Sequence, residues 1–235
     1  TLLCFSSYGK VYWIKVYRLP RGGRNAKGRP IVNLLPLEKD ERIQAVLPVK
    51  EFNDDQFIFM ATESGSVKKT KLSAYSRPMK SGIKAIKLRE GDRVVNAEIT
   101  DGSKEIMLFS NSGKSIRFKE TDARPMGRVS QGVRGMRIEK DQRIISLVVL
   151  EEGNILVATE NGFGKQTLKD EFSIQKRGGK GVIAIQTSKR NGNLIGANQV
   201  RTGDEVMFIS TTGNLIRTRT DDISVIGRNT QGVRL

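Results

Sequence analysis

The chain has no histidine and a single cysteine, Cys4, among 235 residues. The first absence removes Ser/His/Asp and Cys/His catalysis, histidine-ligated zinc and imidazole pH switching. The second removes any internal disulfide and any cysteine-rich zinc site, so the chain reads as intracellular or independent of oxidation. Long apolar runs are also missing. The longest, Ile144 to Leu150 with Ser146 inside it, is far too short to span a bilayer. The opening TLLCFSS has no basic leader followed by an apolar stretch, so no export signal is visible. No segment sustains the i, i+3, i+4, i+7 spacing of an amphipathic helix, and helix beyond single turns is not expected.

What is abundant is positive charge. Lys and Arg number 41 against 25 Asp and Glu, a formal net charge of +16. Such an excess calls for a polyanionic partner, nucleic acid first and an acidic membrane surface second.

The text also repeats. GRVSQGVR at Gly127 to Arg134 returns as GRNTQGVR at Gly227 to Arg234, and KRGGKGVI at Lys176 to Ile183 lies between them. RPMKSGIK at Arg77 to Lys84 and GRNAKGRP at Gly23 to Pro30 extend the series backwards, making five copies. Each copy follows an apolar run closed by a small polar turn: LLCFSSYGK, FIFMATESGS, IMLFSNSGK, ILVATENGF and VMFISTTGN. The turn glycines are Gly9, Gly65, Gly113, Gly162 and Gly213, spaced 56, 48, 49 and 51 apart. The later glycines Gly28, Gly82, Gly132, Gly181 and Gly232 follow them by 19, 17, 19, 19 and 19 residues. One supersecondary unit is used five times, over 1–55, 56–103, 104–153, 154–203 and an incomplete 204–235.

Each unit reads as strand, tight glycine turn and strand, then a third strand after the later glycine and a fourth after an acidic turn. Four strands per unit of about fifty residues predict an all-β propeller of about five visible four-stranded blades in a single domain. The apolar runs, Trp13 and most of the phenylalanines are then core. The last unit stops early in its third strand, so either the chain is cut within a larger protein or the N-terminal strands complete that blade.

The charge excess runs +4, +4, +3, +5 and 0 through the five units, so it is not gathered in a tail. Six residues after the turn glycine stand Lys15, Lys71, Lys119 and Arg219, and four after it Lys69, Arg117 and Arg217. Four residues before the later glycine stand Arg24, Arg128, Arg177 and Arg228, and two after it Lys84, Arg134 and Arg234. Positions four and six alternate along one strand and are expected to share a face. A repeat fold repeats position as well as sequence, so these cations are expected to form a basic rim suited to duplex DNA, which asks for cations at intervals and for no particular base. No metal site and no catalysis are expected. Gly23 to Gly28 has the gap of a phosphate loop but continues with Arg29-Pro30. Asp221-Asp222 reads as a turn, and Tyr8, Tyr12, Tyr17 and Tyr75 as packing or surface residues.

The heptapeptide Gln175, Lys176, Arg177, Gly178, Gly179, Lys180, Gly181 resembles the Q-[RK]-R-G-G-K-G box of the DNA gyrase A C-terminal domain. GRPIVNLLPL at Gly28 to Leu37, VKKT at Val67 to Thr70 and ISVIGRNTQGV at Ile223 to Val233 extend the resemblance along the whole chain. It implies a six-bladed β-pinwheel with hairpins exchanged between neighbouring blades. It further implies a rim that wraps DNA and a bacterial cytoplasmic heterotetramer with the rest of gyrase A and with gyrase B, where ATP and Mg act elsewhere. The box is the element it ties to wrapping. In that family the box sits in the first blade, whereas here it falls in the fourth of five repeats. Either the defining box lies upstream or the usual site is altered. Two alternatives stand beside this reading: the related C-terminal domain of topoisomerase IV, which selects DNA geometry, and a propeller that binds acidic proteins.

Overall fold

The fold is taken from a computed structural model that describes residues 1–23 and 25–235. The chain divides into two compact units. One comprises 1–103 with 123–134, the other 104–122 with 135–235. Among the described residues there is no α-helix, only strands and single 3-10 turns.

In the first unit β1 (Leu2–Ser6) and β2 (Lys10–Ile14) form a hairpin across Gly9, with Phe5 opposite Val11, and β3 (Ile43–Pro48) lies on the other side of β1. The next repeat supplies the hairpin β4 (Phe57–Thr62) and β5 (Ser66–Lys71), a two-residue strand β6 (Ile83–Lys84), and β7 (Val94–Thr100), which pairs with β4. In the second unit β8 (Glu105–Ser110) and β9 (Lys114–Lys119) pair as a hairpin and β11 (Ile144–Leu150) flanks β8. Its fourth repeat holds β12 (Asn154–Thr159), β13 (Phe163–Leu168) and β15 (Leu194–Val200), in the same arrangement. Between these lie the short strands β10 (Val133–Arg134), in the first unit, and β14 (Val182–Ile183), in the second. The fifth repeat contributes β16 (Glu205–Ile209), β17 (Leu215–Arg219) and the short β18 (Val233–Arg234).

The short strands change the expected blade. The residues after each later glycine were expected to close their own unit's sheet. Instead the four that follow Gly82, Gly132, Gly181 and Gly232 join the hairpin of the preceding repeat, β6 pairing with β2, β10 with β5, β14 with β9 and β18 with β13, while the segment after Gly28 forms a 3-10 turn at Ile31–Asn33 and no strand. The sheets are therefore ordered β3-β1-β2-β6, β10-β5-β4-β7, β11-β8-β9-β14 and β15-β12-β13-β18. This leaves four four-stranded blades and, in the fifth repeat, a hairpin of β16 and β17 alone. The N-terminal strands do not complete that hairpin, because β1 is already flanked by β2 and β3.

The glycines make the transfer possible. Gly132 has φ +84 and a Cβ there would lie 2.4 Å from the Val67 carbonyl oxygen, while Gly181 has φ +73 with 2.2 Å to that of Ser115. Only a residue without a side chain lets the incoming backbone approach an established hairpin so closely. The first hairpin strand of each blade also meets its flanking strand with the same register irregularity, at Phe5/Ser6, Ala61/Thr62, Ile144/Ser146 and Ala158/Thr159. A bulge at a constant position adds twist at a constant position.

The apolar runs of the first four repeats pack as core within each unit, whereas that of the fifth, on β16, leaves Met207 and Ile209 exposed because no flanking strand covers the β16–β17 hairpin. In the first unit, Leu3, Phe5, Ala45 and Leu47 meet Ile58, Met60, Val94 and Ala97 from the neighbouring sheet. Phe5 and Tyr75 stand edge to face with ring centroids 5.6 Å apart, an arrangement worth about 0.5–1.5 kcal/mol beyond area burial. In the second unit Met107, Phe109, Val148 and Leu150 meet Ile155, Val157 and Leu194. Trp13 is half-buried and donates its indole N–H to the Tyr75 carbonyl at 3.0 Å, and Tyr12 and Tyr75 are buried. Tyr17 is exposed. Cys4 is buried, and burial pushes its thiol up to about 11.

Candidate nucleic-acid interface

The loops that precede Gly132, Gly181 and Gly232 are built to one plan. Just before each, the chain runs parallel to the second hairpin strand of the previous repeat, bridging Pro125 to Lys69, Ile174 to Arg117 and Val225 to Gln166. The amides of Met126, Gln175 and Ile226 donate to the carbonyls of Lys69, Arg117 and Gln166 at 2.8, 2.8 and 2.9 Å. The chain then turns outward through loops 127–132, 176–181 and 227–232 and returns as the short strand. At the second residue before the later glycine, the carbonyls of Ser130, Gly179 and Thr230 accept the amides of Lys87, Arg137 and Gln186 at 3.1, 2.8 and 2.8 Å.

This plan separates the recurring cations. Those six residues after the turn glycine, Lys15, Lys71, Lys119 and Arg219, are exposed at the ends of hairpin strands. Lys71 faces Asp54 at 3.6 Å, Arg219 faces Asp221 at 3.4 Å, and Lys15 donates to Thr1 Oγ1 at 3.1 Å. Lys84, Arg134 and Arg234 are exposed on β6, β10 and β18. Arg24 lies outside the described residues.

The positions four after the turn glycine do not share that exposed face. Lys69 is buried, with its ammonium 5.2 Å from the Phe57 ring centroid. The Arg117 side chain is 10% exposed. It pairs with Glu105 at 2.6 Å and donates from Nη1 to the carbonyls of Lys169 and Phe172 at 2.8 and 3.0 Å. Gln166, one repeat later and uncharged, makes the equivalent bonds to Thr220 and Ile223 at 2.6 and 3.0 Å. The recurrence at this position therefore serves the 3-10 turn that leads into the loop, and any long side chain with N–H donors can fill it. Arg217 is exposed and paired with Glu205. Replacing Arg117 by methionine is expected to cost about 2–3 kcal/mol in denaturant unfolding, because two carbonyls and Glu105 lose their donor. The salt dependence of DNA binding should stay unchanged.

The loop arginines are half-buried. Arg128 Nη1 donates to the Lys84 carbonyl at 3.1 Å and Arg228 Nη1 to that of Ile183 at 3.2 Å, so each is tied to the preceding repeat's short-strand segment. Arg177 donates from Nε to the Asp122 carbonyl at 2.8 Å. In the heptapeptide, Lys176 and Lys180 are exposed while Gln175, Gly178, Gly179 and Gly181 are half-buried. Gly178 has φ +84, and its amide donates to the Gly135 carbonyl at 2.6 Å.

Two lysines outside the recurring cation positions lie beneath the loops. Lys68 and Lys165, each three residues after a turn glycine, are fully buried. Lys68 donates to the carbonyls of Ala85 and Arg128. Lys165 donates to those of Gly227 and Arg228, both at 2.6 Å, and to Thr230 Oγ1 at 3.0 Å. Burial, reinforced by the Arg128 guanidinium, pulls Lys68 down to about 7. Burial likewise pulls Lys165 down to about 8, with Glu171 opposing and Arg228 adding to the shift. The only signal of them in the sequence is a lysine inside a strand whose neighbours, Val67 and Gly164, are core.

Successive strand-exchanged blades, three of them receiving a loop with arginine at the same place, define a β-propeller-type repeat domain with a basic surface. The chain matches the family described as "DNA gyrase C-terminal domain, beta-propeller" over residues 1–50, 56–101, 104–151, 153–201 and 204–235, and it belongs to that family. It is 52% identical over 236 residues to the DNA gyrase A protein of Salmonella typhimurium and 51% identical over 235 residues to that of Escherichia coli K12. Each alignment takes in 100% of this chain and 27% of the relative, so the chain spans about a quarter of those proteins. Among solved structures, the C-terminal domain of DNA topoisomerase IV superposes with a TM-score of 0.92 at 27% identity, covering 100% of this chain and 74% of that one. The DNA gyrase A C-terminal domain superposes at 0.85, also at 27% identity, covering 100% and 77%.

Proposed function

We propose that this chain binds duplex DNA without base specificity, wraps it against its basic blade edges, and thereby supports ATP-dependent negative supercoiling by a DNA gyrase. The observation that carries the reading is the exposure of cations at equivalent places in successive repeats: Lys15, Lys71 and Lys119 at strand ends, Lys84, Arg134 and Arg234 on the short strands. Phosphates need spaced charge of this kind with no base-reading element, and each contact releases condensed counterion. Bending 20–30 bp by 40–90° costs on the order of 1–6 kcal/mol, so wrapping needs contacts from several blades. Strand cleavage and the ATP and Mg chemistry belong to other parts of the assembly, formed with the remainder of gyrase A and with gyrase B in the bacterial cytoplasm. No helix among the described residues is long and apolar enough to cross a membrane.

The likeness to the topoisomerase IV domain favours one second reading, a domain that binds DNA and selects its geometry without wrapping it. The Arg-Gly-Gly-Lys-Gly text at Arg177 to Gly181 and the identity of about half to DNA gyrase A proteins weigh towards wrapping. The test is affinity for duplexes of increasing length at several salt concentrations, paired with religation of nicked circles in the presence of the protein. Length-dependent, salt-steep binding with a shift in linking number is the expected result. Salt-steep binding without a shift moves the reading to geometry selection, and absence of duplex binding moves it to a protein partner.

A further inference from the structure

Three of the loops, 127–132, 176–181 and 227–232, are closed in two different ways, while loop 77–82, with Tyr12 beneath it and Met79 at the matching place, follows neither. In loop 176–181 the residue beneath, three after the turn glycine, is Ile116, and the carbonyl of Gly135 is satisfied by the amide of Gly178. Gly178 can turn that amide inward because it holds φ +84. In loop 127–132 the residue in its place is Val129, whose φ is not positive, and the carbonyl equivalent to that of Gly135 belongs to Ala85. That carbonyl is satisfied from below, by the Lys68 ammonium, which also takes the Arg128 carbonyl. Loop 227–232, with Asn229 at the same place, has Lys165 beneath it on the carbonyls of Gly227 and Arg228. These three loops thus pair isoleucine below with glycine in the loop, and lysine below with a residue that carries a side chain.

We propose that Lys68 and Lys165 are positioning residues for DNA binding, each buried ammonium giving its arginine loop the shape that the Gly178 backbone gives the box loop. Burying an ammonium is costly, and several carbonyl acceptors are needed to offset it. The acceptors are backbone atoms of the loop itself, so the cation fixes the path of the very residues that carry Arg128 and Arg228. Those arginines are further held by the carbonyls of Lys84 and Ile183, and the hydroxyls of Ser130 and Thr230 donate to the carbonyls of Gly127 and Gly227 at 2.9 and 3.0 Å. The assignment to DNA binding rests on the function proposed above. The loop-shaping does not.

Lys68→Ile places in the first unit the residue that Ile116 shows can occupy this position. Val129→Gly supplies the loop glycine without altering charge. In the complete polypeptide that carries this chain, Lys68→Ile should speed amide exchange of the 85–88 segment about tenfold, since the Lys87 amide loses a fixed Ser130 acceptor. It should also lower the DNA salt slope by up to about 0.9, one phosphate contact. The double variant Lys68→Ile/Val129→Gly should return both towards wild type, while Val129→Gly alone changes little. Loss of thermal stability with unchanged exchange, or a loss that Val129→Gly does not repair, overturns the proposal. Wild-type protein without salt-steep binding overturns the DNA reading instead, and is told apart because exchange is measured without DNA.

Discussion

Alanine at Lys176, Arg177 and Lys180 together is expected to weaken duplex binding and to reduce the slope of log K against log salt by up to about 2.7, at about 0.9 per phosphate contact. The three side chains differ in what they can contribute. Lys176 and Lys180 are exposed on either side of the glycine pair, whereas Arg177 is half-buried and bound through Nε to the Asp122 carbonyl. Single alanines at the lysines should therefore account for most of the slope. Arg177→Ala should show in addition as a small loss of stability, since the Asp122 carbonyl loses a charged donor. The measurement is anisotropy on a duplex long enough to wrap, titrated at four or more salt concentrations. An unchanged slope in the triple variant removes the box from the contact surface.

Gly181→Ala and Gly132→Ala should be among the most destabilising single substitutions in the chain. Both glycines sit at positive φ, where a β-carbon costs about 1–2 kcal/mol. Both also press against a hairpin carbonyl, at 2.2 Å from Ser115 and 2.4 Å from Val67. Backbone cannot swing aside as a flexible side chain does, and overpacking of this kind adds about 1–3 kcal/mol. A total of about 2–5 kcal/mol is a large share of the roughly 5–15 kcal/mol that holds an ordinary domain together. The short strand is the part that must move, so Arg134 on β10 would leave its place together with the backbone. Gly127→Ala is the control: nothing lies within 4 Å of its Cβ position and its φ is not positive. Thermal or denaturant unfolding reads the difference. Equal losses at Gly127 and Gly132 would show that the close approach to β5 is not what the glycine secures.

Much of the architecture is legible in the residues alone. The two glycine registers, the apolar runs ahead of them and the alternation after them specify hairpins, because turn sterics and strand period act between residues a few positions apart. The repeat of those registers specifies several copies of one unit, and the charge count specifies a polyanionic partner. Which hairpin each short strand joins was decided by tertiary packing. Val133 and Arg134 pair with Val67 and Ser66, about one repeat back in the chain, and nothing in a two-residue strand names its partner. The same holds for the cations. Recurrence in the text marks Lys69, Arg117 and Arg217 equally with Lys71, Lys119 and Arg219, yet Lys69 and Arg117 turn inward because a neighbouring segment docks alongside their strands and offers carbonyls to Arg117. Lys68 and Lys165 are invisible to charge patterning for the converse reason. A sequence records that a lysine is present, but whether its charge meets water or a cluster of backbone oxygens depends on the chain that folds over it.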